Sequence, residues 1–219
     1  HRRGSPGHVW RSLDYIENGA GQVETQIAQA RFQTSFENSD SLSADVQKSY
    51  ELLAQPFNIA SDVTIPVGGY DFRDFLVSYQ MGPQRRIAGT FSLQQGEFFG
   101  GNVTAVGYSR GRIELNRQFS LEPSVSLNHI TLPQGNFTAT VAASRVTYTF
   151  TPRMFVSGLL QYNSTQDIMS TNVRLRWEYQ PGSEFFVVYN DQRDTEFGDR
   201  FPLLQNRAFV VKLTRQFRF

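Results

Sequence analysis

Apolar and polar residues alternate along most of this chain with a period of two, the spacing that gives a β-strand one apolar and one wet face. Near the C-terminus Phe209, Val211, Leu213, Phe217 and Phe219 alternate with Lys212, Thr214, Gln216 and Arg218. Met169, Val173, Leu175, Trp177 and Tyr179 alternate in the same way with Ser170, Asn172, Arg174, Arg176 and Glu178. So do Met154, Val156, Leu160 and Tyr162 with Ser157, Gln161 and Asn163. The pattern predicts about eleven strands, at 22–36, 41–53, 70–81, 86–94, 102–113, 118–128, 136–150, 153–163, 168–179, 183–190 and 205–219.

The predicted connections fall into two kinds in strict alternation. Glu37–Asp40, Gly82–Arg85, Glu114–Arg117, Thr151–Pro152 and Gln180–Gly182 are short. Ala54–Gly69, Gln95–Gly101, His129–Gly135, Ser164–Asp167 and Asp191–Leu204 are mostly longer. Short turns at one end and long loops at the other are the arrangement of an antiparallel transmembrane β-barrel in a bacterial outer membrane, with the turns periplasmic. A soluble sandwich has no reason to alternate so. Phe217 and Phe219 share a face with Leu213 and Val211, and read as the insertion signal that such a barrel shows to its assembly machinery; the plainer reading is an edge strand that ends in Phe. Arg215 falls on the lipid side and has to snorkel toward headgroups, at a cost of about 1–3 kcal/mol.

Counting back eleven strands from a last strand that runs toward the periplasm leaves residues 1–21 outside the cell, as an extracellular loop or a weak first strand, with barrel strands over 22–219. Single-chain bacterial barrels have an even strand count, so one upward strand is missing. Either Val9, Leu13 and Tyr15 mark it within Val9–Ile16, giving about twelve strands, or the chain is the C-terminal part of a larger barrel. The Gly-rich, basic, weakly patterned N-terminal segment favours the second.

Composition narrows the classes. The 219 residues include 21 Lys and Arg against 20 Asp and Glu, a formal charge of +1 that offers no field for nucleic acid. With no cysteine, disulfide scaffolds, thiol catalysis and Cys-based zinc sites are excluded. The 14% of aromatic residues in a polar chain fits a surface that alternates between apolar and wet faces. No apolar run approaches the roughly 18 residues of a membrane-spanning helix.

Several segments are similar to the last part of a family of bacterial outer-membrane proteins of unknown function. They are Ser120-Leu121-Glu122-Pro123-Ser124-Val125-Ser126-Leu127-Asn128 with Leu132-Pro133 and Gly135-Asn136-Phe137; Leu160-Gln161-Tyr162-Asn163-Ser164; Arg174 to Glu184; Phe186-Val187-Val188-Tyr189-Asn190; and Val211-Lys212-Leu213. In that family a carbohydrate-binding-like domain of the family 9 type precedes a long C-terminal barrel. The resemblance covers roughly residues 40–219. It implies a barrel whose sugar-related module lies upstream of His1, and it supplies no catalytic residues.

By parity, Arg145, Gln161, Asn172, Arg174, Arg176, Glu178, Glu184, Lys212 and Arg218 face the barrel lumen. Mixed charges there either form a salt-bridged filling or line a weakly selective polar channel that attracts anions. The loop around Asp191, Asp194, Glu196 and Asp199 gathers carboxylates that could hold Ca²⁺, but its spacing fits no EF-hand and arginines compensate it, so a solvated loop is expected. His129, near Ser126 and Asn128, is the one candidate for a rim hydrolase acting on lipid or glycan, and no G-x-S-x-G elbow accompanies it. The Asn-x-Ser/Thr matches are expected to be accidental, and the glycine pairs Gly68-Gly69 and Gly100-Gly101 to be turn elements. The expected function is passive: a membrane anchor that can also serve as a pore, in contact with outer-membrane lipid, with no cofactor and no nucleic acid. A structural subunit that meets envelope proteins through its loops is a further alternative.

Overall fold

A computed structural model of the chain describes residues 7–17, 23–60, 63–196 and 202–216. These residues form no helix. They build an antiparallel sheet from β1 (His8–Glu17), β2 (Val23–Ser35), β3 (Ser41–Leu53), β6 (Gly68–Gln80), β7 (Ile87–Phe98), β8 (Gly101–Glu114), β9 (Phe119–Leu132), β10 (Gly135–Thr151), β11 (Met154–Asn163), β12 (Ile168–Gln180), β13 (Ser183–Asp194) and β14 (Leu203–Thr214). These twelve strands are hydrogen-bonded in chain order, and β4 (Phe57–Ala60) and β5 (Val63–Ile65) form a separate small hairpin between β3 and β6. The chain divides into two compact units, His1–Ser109 with Ser126–Ala139, and Arg110–Val125 with Thr140–Phe219.

In the first unit the register sorts most side chains by face, although Lys48, Asp71, Arg73 and Gln95 fall on the apolar side and Leu76 on the polar side. One face carries the rung Phe32, Ala44, Val77, Leu93 and the rung Ala30, Val46, Phe75. The other carries Gln33, Ser43, Ser78, Ser92 and then Arg31, Asp45, Leu76, Gln94. The apolar face is the solvent-exposed one, with Val46 56% and Leu93 53% exposed, whereas Asp45 on the polar face is 3% exposed. In the second unit Trp177, Phe185 and Leu213 form an apolar rung, followed by Leu175, Val187 and Val211, then Val173, Tyr189 and Phe209.

The buried hydrophobic cluster lies in the first unit, on the polar side of its sheet. Val63 and Ile65 of the small hairpin pack with Phe72, Phe99, Val103, Ile130 and Leu132, and Ile65 is fully buried. Residues 54–69, read from the sequence as a plain loop, therefore contain a folded element. The same packing accounts for a second difference. Gln95–Gly101 and His129–Gly135 were expected as long connections, but β7 to β10 run on until only Phe99-Gly100 and Pro133-Gln134 remain between strands. The extended strand ends supply Ile130 and Leu132 to the cluster and pack Phe98 against it, while Val103 comes from within the strand expected at 102–113.

Phe99 and Gly100 both have positive φ, 43° and 77°, the pair of left-handed residues that a two-residue turn matched to strand twist requires. A phenylalanine there is strained by about 1–2 kcal/mol. Its ring offsets this by burial, with edge-on contacts at 4.8–5.1 Å to Phe98, Phe72 and Tyr70. Ile65→Ala should destabilise the hairpin by about 2–5 kcal/mol, the range for emptying a buried aliphatic site. Amide hydrogen exchange should show this as lost protection over 57–65, with β12 and β13 unchanged.

Candidate functional site

Each unit has its own polar face as a candidate site, and in the first unit the hairpin packs on it. Arg145, Gln161, Asn172, Arg174, Arg176, Glu178, Glu184 and Lys212 share that face in the second unit, because the ladders align Arg145 with Leu159 and Asn172, Arg176 with Phe186 and Lys212, and Glu178 with Glu184. Arg218, Phe217, Phe219 and Asp199 lie outside the described residues. Toward the short turns, Arg176 donates to Glu184 and the Arg174 guanidinium sits 5.7 Å from the centre of the Phe186 ring; Arg145, on the rung of Asn172 and Asn190, lies 3.8 Å from Glu122. Toward the loops, Asn172 donates to Asn190 and Ser170 to Gln161, within a recess of about 280 Å³ that Gln192 and Asn206 complete.

In the first unit the polar face is knitted by an ion pair that the sequence reading missed. The Arg31 Nε donates to Asp45 Oδ1 at 2.5 Å and Gln29 Nε2 donates to the same oxygen at 3.1 Å. The signal was present as Gln29, Arg31 and Gln33 alternating with Ala28, Ala30 and Phe32.

Asp191 and Asp194, expected in a loop, lie in β13 and accept from donors of this same chain. Asp191 is 7% exposed and accepts from Arg193 Nε at 2.6 Å, from Arg207 Nη2 at 3.1 Å and from the Tyr189 hydroxyl at 3.1 Å. Asp194 accepts from the Glu196 amide and from Gln205 Nε2, both at 2.9 Å. Among the described residues no three acidic or histidine side chains converge on one point. Ser126 and His129 cannot act as a nucleophile and base pair, since residues three apart on β9 project from opposite faces. The His129 ring Nδ1 instead lies 3.1 Å from the Thr138 hydroxyl, and Ser126 meets Asn128. Arg215 follows β14 at the turn end and lies beside Trp177, Tyr179 and Phe185.

The short-turn end has its own latch. Asp40, in the turn between β2 and β3, is fully buried and accepts from the Gly82 amide at 2.7 Å, the Tyr79 hydroxyl at 2.5 Å, Arg85 Nη2 at 2.5 Å and Asn38 Nδ2 at 2.7 Å. One carboxylate thereby ties two neighbouring turns together. No family model, curated protein or solved structure matches this chain.

The donors around Asp40, first the Tyr79 hydroxyl and then the Gly82 amide, hold its carboxyl below the ordinary value of 3.8 against the opposing effect of burial. A native value below the unfolded one gives stability that is complete above about pH 4 and is lost as pH falls through the lowered native value. Asp40→Asn should therefore unfold at lower denaturant concentration than the parent at pH 7, and the gap between the two should close as pH drops below 4. A gap of constant size across that range would show that the carboxylate charge is not what holds the turns.

Proposed function

We propose that this chain is a transmembrane β-barrel, or the C-terminal part of one, in the outer membrane of a Gram-negative-type bacterium, acting as an anchor and a polar conduit. The observation that carries the reading is the inverted burial of the sheet: its apolar face is exposed and its polar face carries the buried carboxylate. Phe209 and Leu213 are each 67% exposed, Phe91 52% and Val211 52%. Such continuous exposed apolar surface is unusual on a soluble monomer and ordinary against lipid. In each unit aromatic side chains pair on the apolar face toward the turn end, Phe91 with Tyr108 in the first and Tyr148 with Phe150 and Trp177 with Tyr179 in the second, the residue types that interfacial positions favour.

On this reading the polar face lines a wet interior, Arg174, Arg176 and Lys212 favour anionic solutes, and the β4–β5 hairpin narrows the passage. The family resemblance supports the companion proposal that the barrel anchors a carbohydrate-related module, and that the C-terminal strand is what the assembly machinery engages.

Adjacent residues of β6 give the decisive test. Val77→Arg places a charge on the proposed lipid face and should cost about 2–4 kcal/mol when folding is measured in liposomes, while Ser78→Arg, on the other face, should cost under about 1 kcal/mol. Equal effects would remove the membrane reading. For conduction, single-channel recording in planar bilayers should show the anion preference of the parent weakened by Arg174→Glu combined with Lys212→Glu, and a larger conductance when Ile65→Asp releases the hairpin. A silent bilayer in every variant would leave an anchor without a pore.

A further inference from the structure

Arg215 brings a charge to the apolar face of the second unit. Phe209, Val211 and Leu213 of β14 stand on that face, and Arg215, two residues further on, keeps the same side just past the strand end. It borders a recess of about 400 Å³ whose other walls are Trp177, Tyr179, Phe185 and Leu213. The register explains why these side chains share one hollow. Trp177, Phe185 and Leu213 form a single rung across β12, β13 and β14. Tyr179 lies at the register shift between Glu178 and Gln180, and its hydroxyl donates to the Thr214 carbonyl at 3.2 Å, so its ring bridges from β12 to β14 over the end of β13. The walls are open to the outside, with Trp177 45% and Leu213 67% exposed.

Lys48, Arg193 and Arg207 also lie on apolar faces, and each meets a carboxylate there. Lys48 is 3.8 Å from Asp71, while Arg193 and Arg207 both donate to Asp191. At the recess none of the described lining residues is acidic. A guanidinium has five N–H donors in a planar fork, so an interaction within the chain still leaves Arg215 donors for a second acceptor. A phosphate matches that fork bidentately. If the apolar face meets lipid and the turns are periplasmic, as proposed above, the recess lies at headgroup depth, where Trp and Tyr rings are favoured and lipid phosphates are within reach.

We infer that this recess is a binding site for an anionic phospholipid, its phosphate on Arg215 and an acyl chain against Trp177, Phe185 and Leu213. The inference rests on the membrane reading and adds to it a fixed place and a lipid class. A zwitterionic headgroup would bring its ammonium beside Arg215 with no carboxylate in the recess to receive it. A soluble phosphate would leave the apolar wall uncovered.

The experiment uses the chain's own fluorescence. Trp10 and Trp177 are its two tryptophans, so Trp10→Phe leaves Trp177 as a reporter inside the site. The full Trp10→Phe chain is folded into phosphatidylcholine vesicles containing a minor fraction of brominated phosphatidylglycerol or, in parallel, of brominated phosphatidylcholine, since bromine quenches tryptophan on contact. Half-quenching of Trp177 is expected at an about fivefold lower fraction of the brominated phosphatidylglycerol, the preference that one basic group gives an anionic headgroup. Adding Arg215→Gln should abolish that preference. Strand-rich circular dichroism and an unchanged shift on boiling verify that each variant is folded. Equal quenching by the two lipids, or a preference that survives Arg215→Gln, overturns the inference and leaves the membrane reading standing. Quenching by neither lipid overturns both.

Discussion

The structure depends on one constraint, that a strand has only two faces and each residue must commit to one of them. The ladders hold this commitment over long distances. Pairing runs unbroken from Thr25 opposite Glu51 to Ser35 opposite Ser41, and from Ser41 opposite Gln80 to Leu53 opposite Gly68. A slip of one residue would carry Phe32, Val46 and Phe75 to the polar side and Arg31, Asp45 and Asp74 to the apolar side at once. If the apolar side meets lipid, as we propose, the penalty is larger still, because hydrocarbon offers no partner for a displaced charge or for an amide that has left its ladder. Register is therefore specified by the whole sheet rather than by any single turn.

The hairpin is the local exception to the two-face rule, and its physical reason is visible. Where the polar face of the first unit becomes apolar, at Phe72, Val103, Ile130 and Leu132, something has to cover it, and the β4–β5 hairpin does so with Val63 and Ile65. This makes the only buried hydrophobic cluster among the described residues a cap on one face rather than a core between two layers. The strain at Phe99 follows from the same demand, since the turn that brings Gly101 back into register also delivers an aromatic ring to the cluster.

Much of this was legible in the sequence, because period-two alternation is a direct record of the two faces. Predicted strands such as 41–53, 153–163 and 168–179 nearly coincide with β3, β11 and β12. The missing information concerned contacts between segments far apart. Nothing local distinguishes Ile59, Val63 and Ile65 from an apolar loop until Phe72 and Ile130 are known to face them. The shortening of the Phe99-Gly100 connection has the same origin. Asp40 reads as an ordinary turn residue, and its role depends on Tyr79, Gly82 and Arg85, which the β3–β6 pairing brings beside it. Asp191 was read as one of several loop carboxylates, whereas the pairing of β13 with β14 places Arg207 directly opposite.

The charged groups divide by what they can do. Exposed pairs such as Arg176 with Glu184, Arg145 with Glu122 and Lys48 with Asp71 are worth on the order of 0–1 kcal/mol each. Their contribution to holding the fold is small, and they do not share one face: Arg145 and Arg176 lie on the polar side, whereas Lys48 and Asp71 lie on the side of Val46 and Phe75. Enclosed carboxylates behave in the opposite way. Asp40, Asp45 and Asp191 are each saturated by donors, which makes them structural and leaves them nothing to offer a ligand. Half-buried acids such as Glu51, Asp74, Glu178 and Asp194 lie between the two groups: they have no guanidinium partner and keep part of their exposure to solvent.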